Sequence, residues 1–123
     1  MPVSIQALTD ALAGVVGRDR LLTDSPSLTS YAVDGVLPAW VARPTGVEEV
    51  SRLLRLASEE RLAVVPRGGG TFMALGNPPR RVDGVLDLSG VSSVVDYEPA
   101  DLTATVQCGI SLAALAARLA VGR

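Results

Sequence analysis

The sequence predicts one compact domain of mixed helices and strands with a βαβ unit at its centre. Two short apolar segments, residues 39–42 and 62–65, flank a stretch of helical periodicity, and so short a connection implies parallel strands joined by a right-handed crossover. A strand at 93–97 and a cleanly alternating one at 102–107, separated by Glu98-Pro99-Ala100-Asp101, read as a hairpin. The 123 residues are 48% apolar and 20% charged, enough for one core and far from the composition of a disordered chain.

Taken in order, Ile5, Leu8, Leu12, Val15 and Val16 recur at helical spacing, with Gly17 as the stop. From Arg18 to Pro38 turn signals dominate, and only Leu28 to Tyr31 suggests a helical turn. AWVA at 39–42 is a strand. Thr45 with Glu48 has the spacing of a capping box, and the helix it opens should bury Val47, Val50, Leu53, Leu54 and Ala57. LAVV at 62–65 and VLDL at 85–88 are further strands, and Trp40 and Tyr97 are expected in core or edge packing. In the last strand Leu102, Ala104 and Val106 share one face, and Gly109 ends it. Ser111 then caps a final helix expected to bury Leu112, Leu115, Ala116 and Leu119.

Composition excludes several function classes. With no histidine and a lone Cys108, disulfide frameworks, zinc sites and histidine-based hydrolases lose their usual groups. Cys108 is expected to be a small buried hydrophobe without a role. Asp34, Asp87 and Asp101 do not have metal-ligand spacing. The net charge is -2 and aromatics make up 3%, so a basic stripe with stacking platforms is absent and nucleic acid is not expected as a partner. No apolar run approaches the roughly 20 residues of a membrane span, and the N-terminus lacks the signs of a targeting segment, so a cytoplasmic location is the expectation.

The informative stretch is VVPRGGGTFMALGNPP at 64–79. Its loop leaves the carboxyl end of a parallel strand, where open α/β sheets place ligands. Consecutive glycines let several N–H groups converge on one anion, with Gly69 at the centre of the nest. Arg67 and the Thr71 hydroxyl add donors, and Gly76 with Asn77 would close on a second phosphate. Taken alone, the glycine run is as compatible with a flexible surface turn. A P-loop fails because five residues separate Gly70 from Gly76 and the chain has no lysine, and a dinucleotide fingerprint fails because Met73 stands where its third glycine belongs.

The string P-R-G-G-G-T, Gly76 five residues after Thr71, and D-L-T-A-T-V-x-x-G-I-S-L-x-x-L together resemble the flavoprotein family of vanillyl-alcohol oxidase and para-cresol methylhydroxylase (PCMH). Within it, YAVDG, V-A-R-P-T and L-G-N-P-P are most similar to the FAD-binding subunit of bacterial glycolate oxidase and its D-lactate dehydrogenase relatives; the resemblance covers residues 31–120. It implies an α+β fold, the first α/β subdomain of a PCMH-type FAD-binding domain, with a small mixed sheet and flanking helices. Arg67, Gly68, Gly69, Gly70, Thr71, Gly76 and Asn77 would hold the FAD pyrophosphate, and Gly109 would approach the cofactor. Thr71 stands where relatives with covalent flavin carry histidine, which implies non-covalent binding. Phe72 to Leu75 are more apolar than this role suggests.

The resemblance divides the chain into an N-terminal helix and connecting segment at 1–38 and the FAD-binding domain at 39–123, which is expected to be cut short at its C-terminus. The whole protein would be a flavin-dependent 2-hydroxy-acid oxidase or dehydrogenase acting on glycolate or D-lactate, with further flavin and iron–sulfur subunits as partners, while the fragment alone would be inactive. Two other readings stand beside it: a non-catalytic phosphate- or nucleotide-binding module, and an interaction fragment that needs a second chain.

Overall fold

The computed structural model describes residues 4–71 and 73–121. Its elements are α1 (Ile5–Val16), β1 (Leu21–Leu22), α2 (Ser25–Thr29), β2 (Trp40–Ala42), α3 (Val47–Glu59), β3 (Val64–Arg67), β4 (Gly84–Asp87), β5 (Val94–Glu98), β6 (Thr103–Val106) and α4 (Leu112–Val121). A four-stranded sheet has the order β1-β2-β4-β3, and β5 pairs with β6 in a separate hairpin. The fold is thus α+β, with a small mixed sheet and flanking helices.

The βαβ expectation holds in direction. Strands β2 and β3 each run parallel to β4, which lies between them. Strand β1 adds an antiparallel edge through Leu21 opposite Ala42, a pairing that the turn-rich sequence around it did not signal. The period of two distributes the apolar residues over both faces. Trp40, Ala42 and Leu86 join Leu12, Val16, Leu21 and Leu53 beneath α1 and α3. On the other face, Val41 and Val85 join Leu28, Val33 and Val82. Gly84 stands opposite Trp40, and a β-carbon there would fall within the indole ring.

Local chemistry accounts for the helix ends. The Ser4 hydroxyl accepts from the Ala7 N–H, and Gly17 closes α1 at φ 90°. The cap of α3 is displaced from the expected box. Gly46 is the N-cap, and Glu49, not Glu48, reaches back to accept from the Thr45 N–H at 3.0 Å. The Arg20 guanidinium donates to Thr45 Oγ1 at 2.8 Å, which ties the segment before β1 to the start of α3.

The buried stripe of α3 is narrower than expected. Leu53 and Ala57 are buried, whereas Val47 and Leu54 are exposed. In α4 none of the described residues is buried, and Leu112 is 86% exposed. Periodicity shows which residues share a face, and only packing shows whether that face is covered.

Candidate functional site

The ends of β3 and β4 and the start of α4 frame the site. Strand β3 is short, and its register with β4 ends at Arg67 opposite Asp87. The chain then turns through Gly68, Gly69, Gly70 and Thr71. These four residues, Met73, and Ile110 to Leu112 at the start of α4 line a cleft of about 610 Å³. A second cleft of about 550 Å³ shares Gly69, Ile110 and Ser111 and runs on past Ser89, Ser92, Gly109 and Arg118.

The left-handed backbone lies at Gly70, φ 77°, and at Gly76, φ 93°. Gly69, expected at the centre of the nest, is not left-handed, and among the described residues a β-carbon there would meet only Thr71 Oγ1 at an ordinary 3.7 Å. At Gly70 a β-carbon would run into the Arg67 guanidinium. Gly70 is therefore the position where the turn demands glycine.

Among the described residues, the N–H groups of Gly69, Gly70 and Thr71 have no protein acceptor. Across the cleft Ser111 caps α4, its hydroxyl accepting from the Ala114 N–H at 3.1 Å. A ten-residue helix directs the positive end of its dipole at its first turn. Free backbone donors on one wall and a helix N-terminus on the other make a cleft suited to phosphate oxygens, and this donor set fits a pyrophosphate.

The other sequence-expected residues lie differently. The Arg67 guanidinium stacks over the Tyr31 ring, 4.4 Å from its centroid, and does not line either cleft. Gly76 and Asn77 are exposed and also lie outside the lining. Gly109 does line the second cleft, but its lack of a side chain serves the fold, because a β-carbon would strike the Leu88 carbonyl. Cys108, expected in the interior, is exposed. Phe72 lies outside the described residues, as does the chain end at 122–123. The described residues contain no group of three or more His, Cys, Asp or Glu placed to hold a metal.

Sequence reasoning missed the polar group behind the loop. Asp87 is 5% exposed. It accepts from the Tyr31 hydroxyl at 2.6 Å and from the Ser89 N–H at 3.0 Å, and Arg43 Nε is 3.7 Å away. Burial is the largest influence on Asp87 and pushes its carboxyl upward. Hydrogen bonds from Tyr31 and Ser89 and the Arg43 charge together outweigh it, so the group sits below the ordinary carboxylate value. Burial, then the bond to Asp87 and its charge, raise the Tyr31 phenol above its ordinary value.

The sign of each shift predicts a two-sided pH dependence of stability. The Asp87 contribution is complete above its unfolded value of about 3.9 and is lost as pH falls through the depressed folded value. The Tyr31 contribution is complete below about 10 and is lost as pH rises through the raised folded value. Urea unfolding followed from pH 3 to 11 should show both limbs. Tyr31→Phe should flatten the alkaline one and lower stability at pH 7 by about 1.5 kcal/mol, the low end for a hydrogen bond to a charged group. An unchanged alkaline limb would show that the phenol does not carry it.

The model of the FAD binding domain family matches residues 38–123. The chain belongs to that family. Curated relatives agree: it is 36% identical over 74 residues to the glycolate oxidase subunit GlcD of Bacillus subtilis, covering 60% of this chain and 16% of the relative. It is 35% identical over 101 residues to D-2-hydroxyglutarate dehydrogenase of Xanthomonas citri, covering 78% and 21%. An uncharacterized FAD-linked oxidoreductase of Mycobacterium tuberculosis is 35% identical over 121 residues, covering 92% and 26%. The chain thus spans about a quarter or less of these relatives.

Among solved structures, substrate-bound p-cresol methylhydroxylase superposes with a TM-score of 0.85 at 19% identity, covering 99% of this chain and 26% of that one. Alkyldihydroxyacetonephosphate synthase gives 0.81 at 21% identity, covering 98% and 26%. These likenesses show a PCMH-type fold. The cofactor of the FAD-binding family is FAD, and the cleft between the glycine loop and α4 has the donors to receive its pyrophosphate. No helix of the described residues is long and apolar enough to cross a membrane.

Proposed function

We propose that this chain holds the pyrophosphate of FAD non-covalently, as the cofactor-binding part of an oxidoreductase acting on a 2-hydroxy acid such as glycolate or D-lactate. The observation that carries the reading is the pairing of the Gly69, Gly70 and Thr71 N–H groups, which have no acceptor among the described residues, with the N-terminus of α4 across one cleft. FAD supplies the hydride-accepting chemistry. The chain's own residues bind and orient: the loop N–H groups and the Thr71 hydroxyl donate to phosphate oxygens, and the first turn of α4 adds its dipole. Gly76 and Asn77 would close the loop around a second phosphate.

Support for the substrate class comes from relatives named for glycolate and D-2-hydroxyglutarate. Electrons would leave through a separate acceptor, for which further flavin and iron–sulfur subunits are the proposed partners, in a cytoplasmic setting. The test is anaerobic addition of glycolate, D-lactate or D-2-hydroxyglutarate to the flavin-loaded whole oxidoreductase of which this chain is proposed to be the cofactor-binding part. Loss of oxidised-flavin absorbance with at least one of them is expected. Flavin that binds but stays oxidised with all three would remove the substrate class and leave the cofactor assignment.

A further inference from the structure

Arg67 ends β3 and directly precedes the three glycines, so its charge is the nearest in sequence to the phosphate loop. Its side chain nevertheless turns away from both clefts. The guanidinium lies 4.4 Å from the centroid of the Tyr31 ring, within the roughly 6 Å over which a cation is held on an aromatic face. The same guanidinium occupies the space that a β-carbon on Gly70 would need. At its far end the ring is anchored by the 2.6 Å bond from its hydroxyl to Asp87, which is itself buried and held by the Ser89 N–H. Tyr31 follows α2, Arg67 ends β3 and Asp87 ends β4, so three separate parts of the chain converge behind one glycine.

We propose that Tyr31 is a positioning residue for the phosphate loop: its ring clamps the Arg67 guanidinium against Gly70, and Arg67 braces the loop from outside the cleft. A guanidinium committed to the ring and to Gly70 shapes the loop and does not donate to a ligand in the cleft. Lysine cannot replace it, because an ammonium lacks the flat face that stacks on the ring and the breadth to fill the space beside Gly70 at the same time. Phenylalanine can replace Tyr31, because the ring face remains. The FAD reading supplies the ligand, and the bracing itself is a property of the ligand-free loop.

Two measurements on the same variants separate these claims. In ¹⁵N relaxation of the ligand-free protein, the Gly70 order parameter should be about 0.85 in the wild type and in Tyr31→Phe, and below about 0.6 in Tyr31→Leu and Arg67→Lys. In FAD titrations, Tyr31→Leu and Arg67→Lys should each raise Kd about tenfold, with the double variant no weaker than either single one. Arg67→Lys that keeps loop order and affinity, or losses that add in the double variant, would overturn the bracing while wild-type FAD binding stands. Loop order that falls as expected in Tyr31→Leu and Arg67→Lys, beside a wild type that does not bind FAD, would uphold the bracing and remove the FAD reading.

Discussion

Gly70→Val should raise the Kd for FAD at least a hundredfold. Gly70 sits at φ 77°, where a β-carbon costs about 1 to 2 kcal/mol and a β-branched residue is a genuine outlier. The new side chain would also displace the Arg67 guanidinium, which lies where the β-carbon would go. If the loop instead relaxes to a right-handed conformation, the Gly70 and Thr71 N–H groups turn from the cleft, and each lost bond to a charged oxygen is worth roughly 1.5 to 3 kcal/mol. Neither route is free, since the strained one also displaces Arg67 and the relaxed one loses donors, and a hundredfold corresponds to about 2.7 kcal/mol. Gly69→Ala is the near neighbour that should hurt much less, because among the described residues its β-carbon meets only Thr71 Oγ1, at 3.7 Å. Gly14→Ala is the control. It lies mid-helix with nothing within 4 Å, where alanine should be neutral or stabilising by about 0.5 to 1 kcal/mol. Calorimetry that found Gly70→Val and Gly14→Ala binding FAD equally would show that the glycine loop is an ordinary surface turn.

That contrast between Gly69 and Gly70 marks the limit of what the sequence disclosed. Three adjacent glycines announce a turn and a close approach, but which of them carries the positive φ depends on what packs behind. Here the packing is Arg67 on Tyr31, a contact between residues far apart in the chain. The local grammar was legible: Ser4 and Gly17 bound α1, Ser111 caps α4, and the hairpin turns through Pro99–Asp101. Long-range order was not. Nothing local says that β4 inserts between β2 and β3, and β1 has two residues, too few for any period to register. The first wall of the cleft is contiguous in sequence, so it could be read. The second wall, Ile110 to Leu112, was reached only through the resemblance that carries G-I-S-L and placed Gly109 near the cofactor, and the buried Asp87 behind the loop is joined to it only by the fold. The YAVDG segment flagged the neighbourhood of Tyr31, and no spacing rule connected it to Asp87, 56 residues on.

Gly109→Ala should destabilise the protein by about 3 kcal/mol and open the cleft at the same time. A β-carbon at Gly109 would strike the Leu88 carbonyl oxygen and lie 2.7 Å from that of Val91. Both obstacles are backbone, so no side-chain rotation relieves them, and overpacking that must move backbone lies at the upper end of the usual 1 to 3 kcal/mol. The segment is pinned on both sides of the clash. The Gly109 N–H donates to the Val91 carbonyl at 2.9 Å, and the Gln107 N–H to that of Ser93 at 2.9 Å. The Gln107 side chain returns the contact by accepting from the Ser93 N–H at 2.9 Å. Whatever yields, the displacement passes directly to Ile110 and Ser111, which form the wall of both clefts opposite the glycine loop. The urea midpoint should therefore fall, and FAD affinity should fall with it even at temperatures where the variant remains folded. Gly14→Ala again provides the reference, since it adds the same methyl group in open space. A Gly109→Ala protein with an unchanged midpoint would mean that the turn after β6 does not press on the Leu88–Val91 backbone. A lowered midpoint with unchanged FAD affinity would detach α4 from the cofactor site.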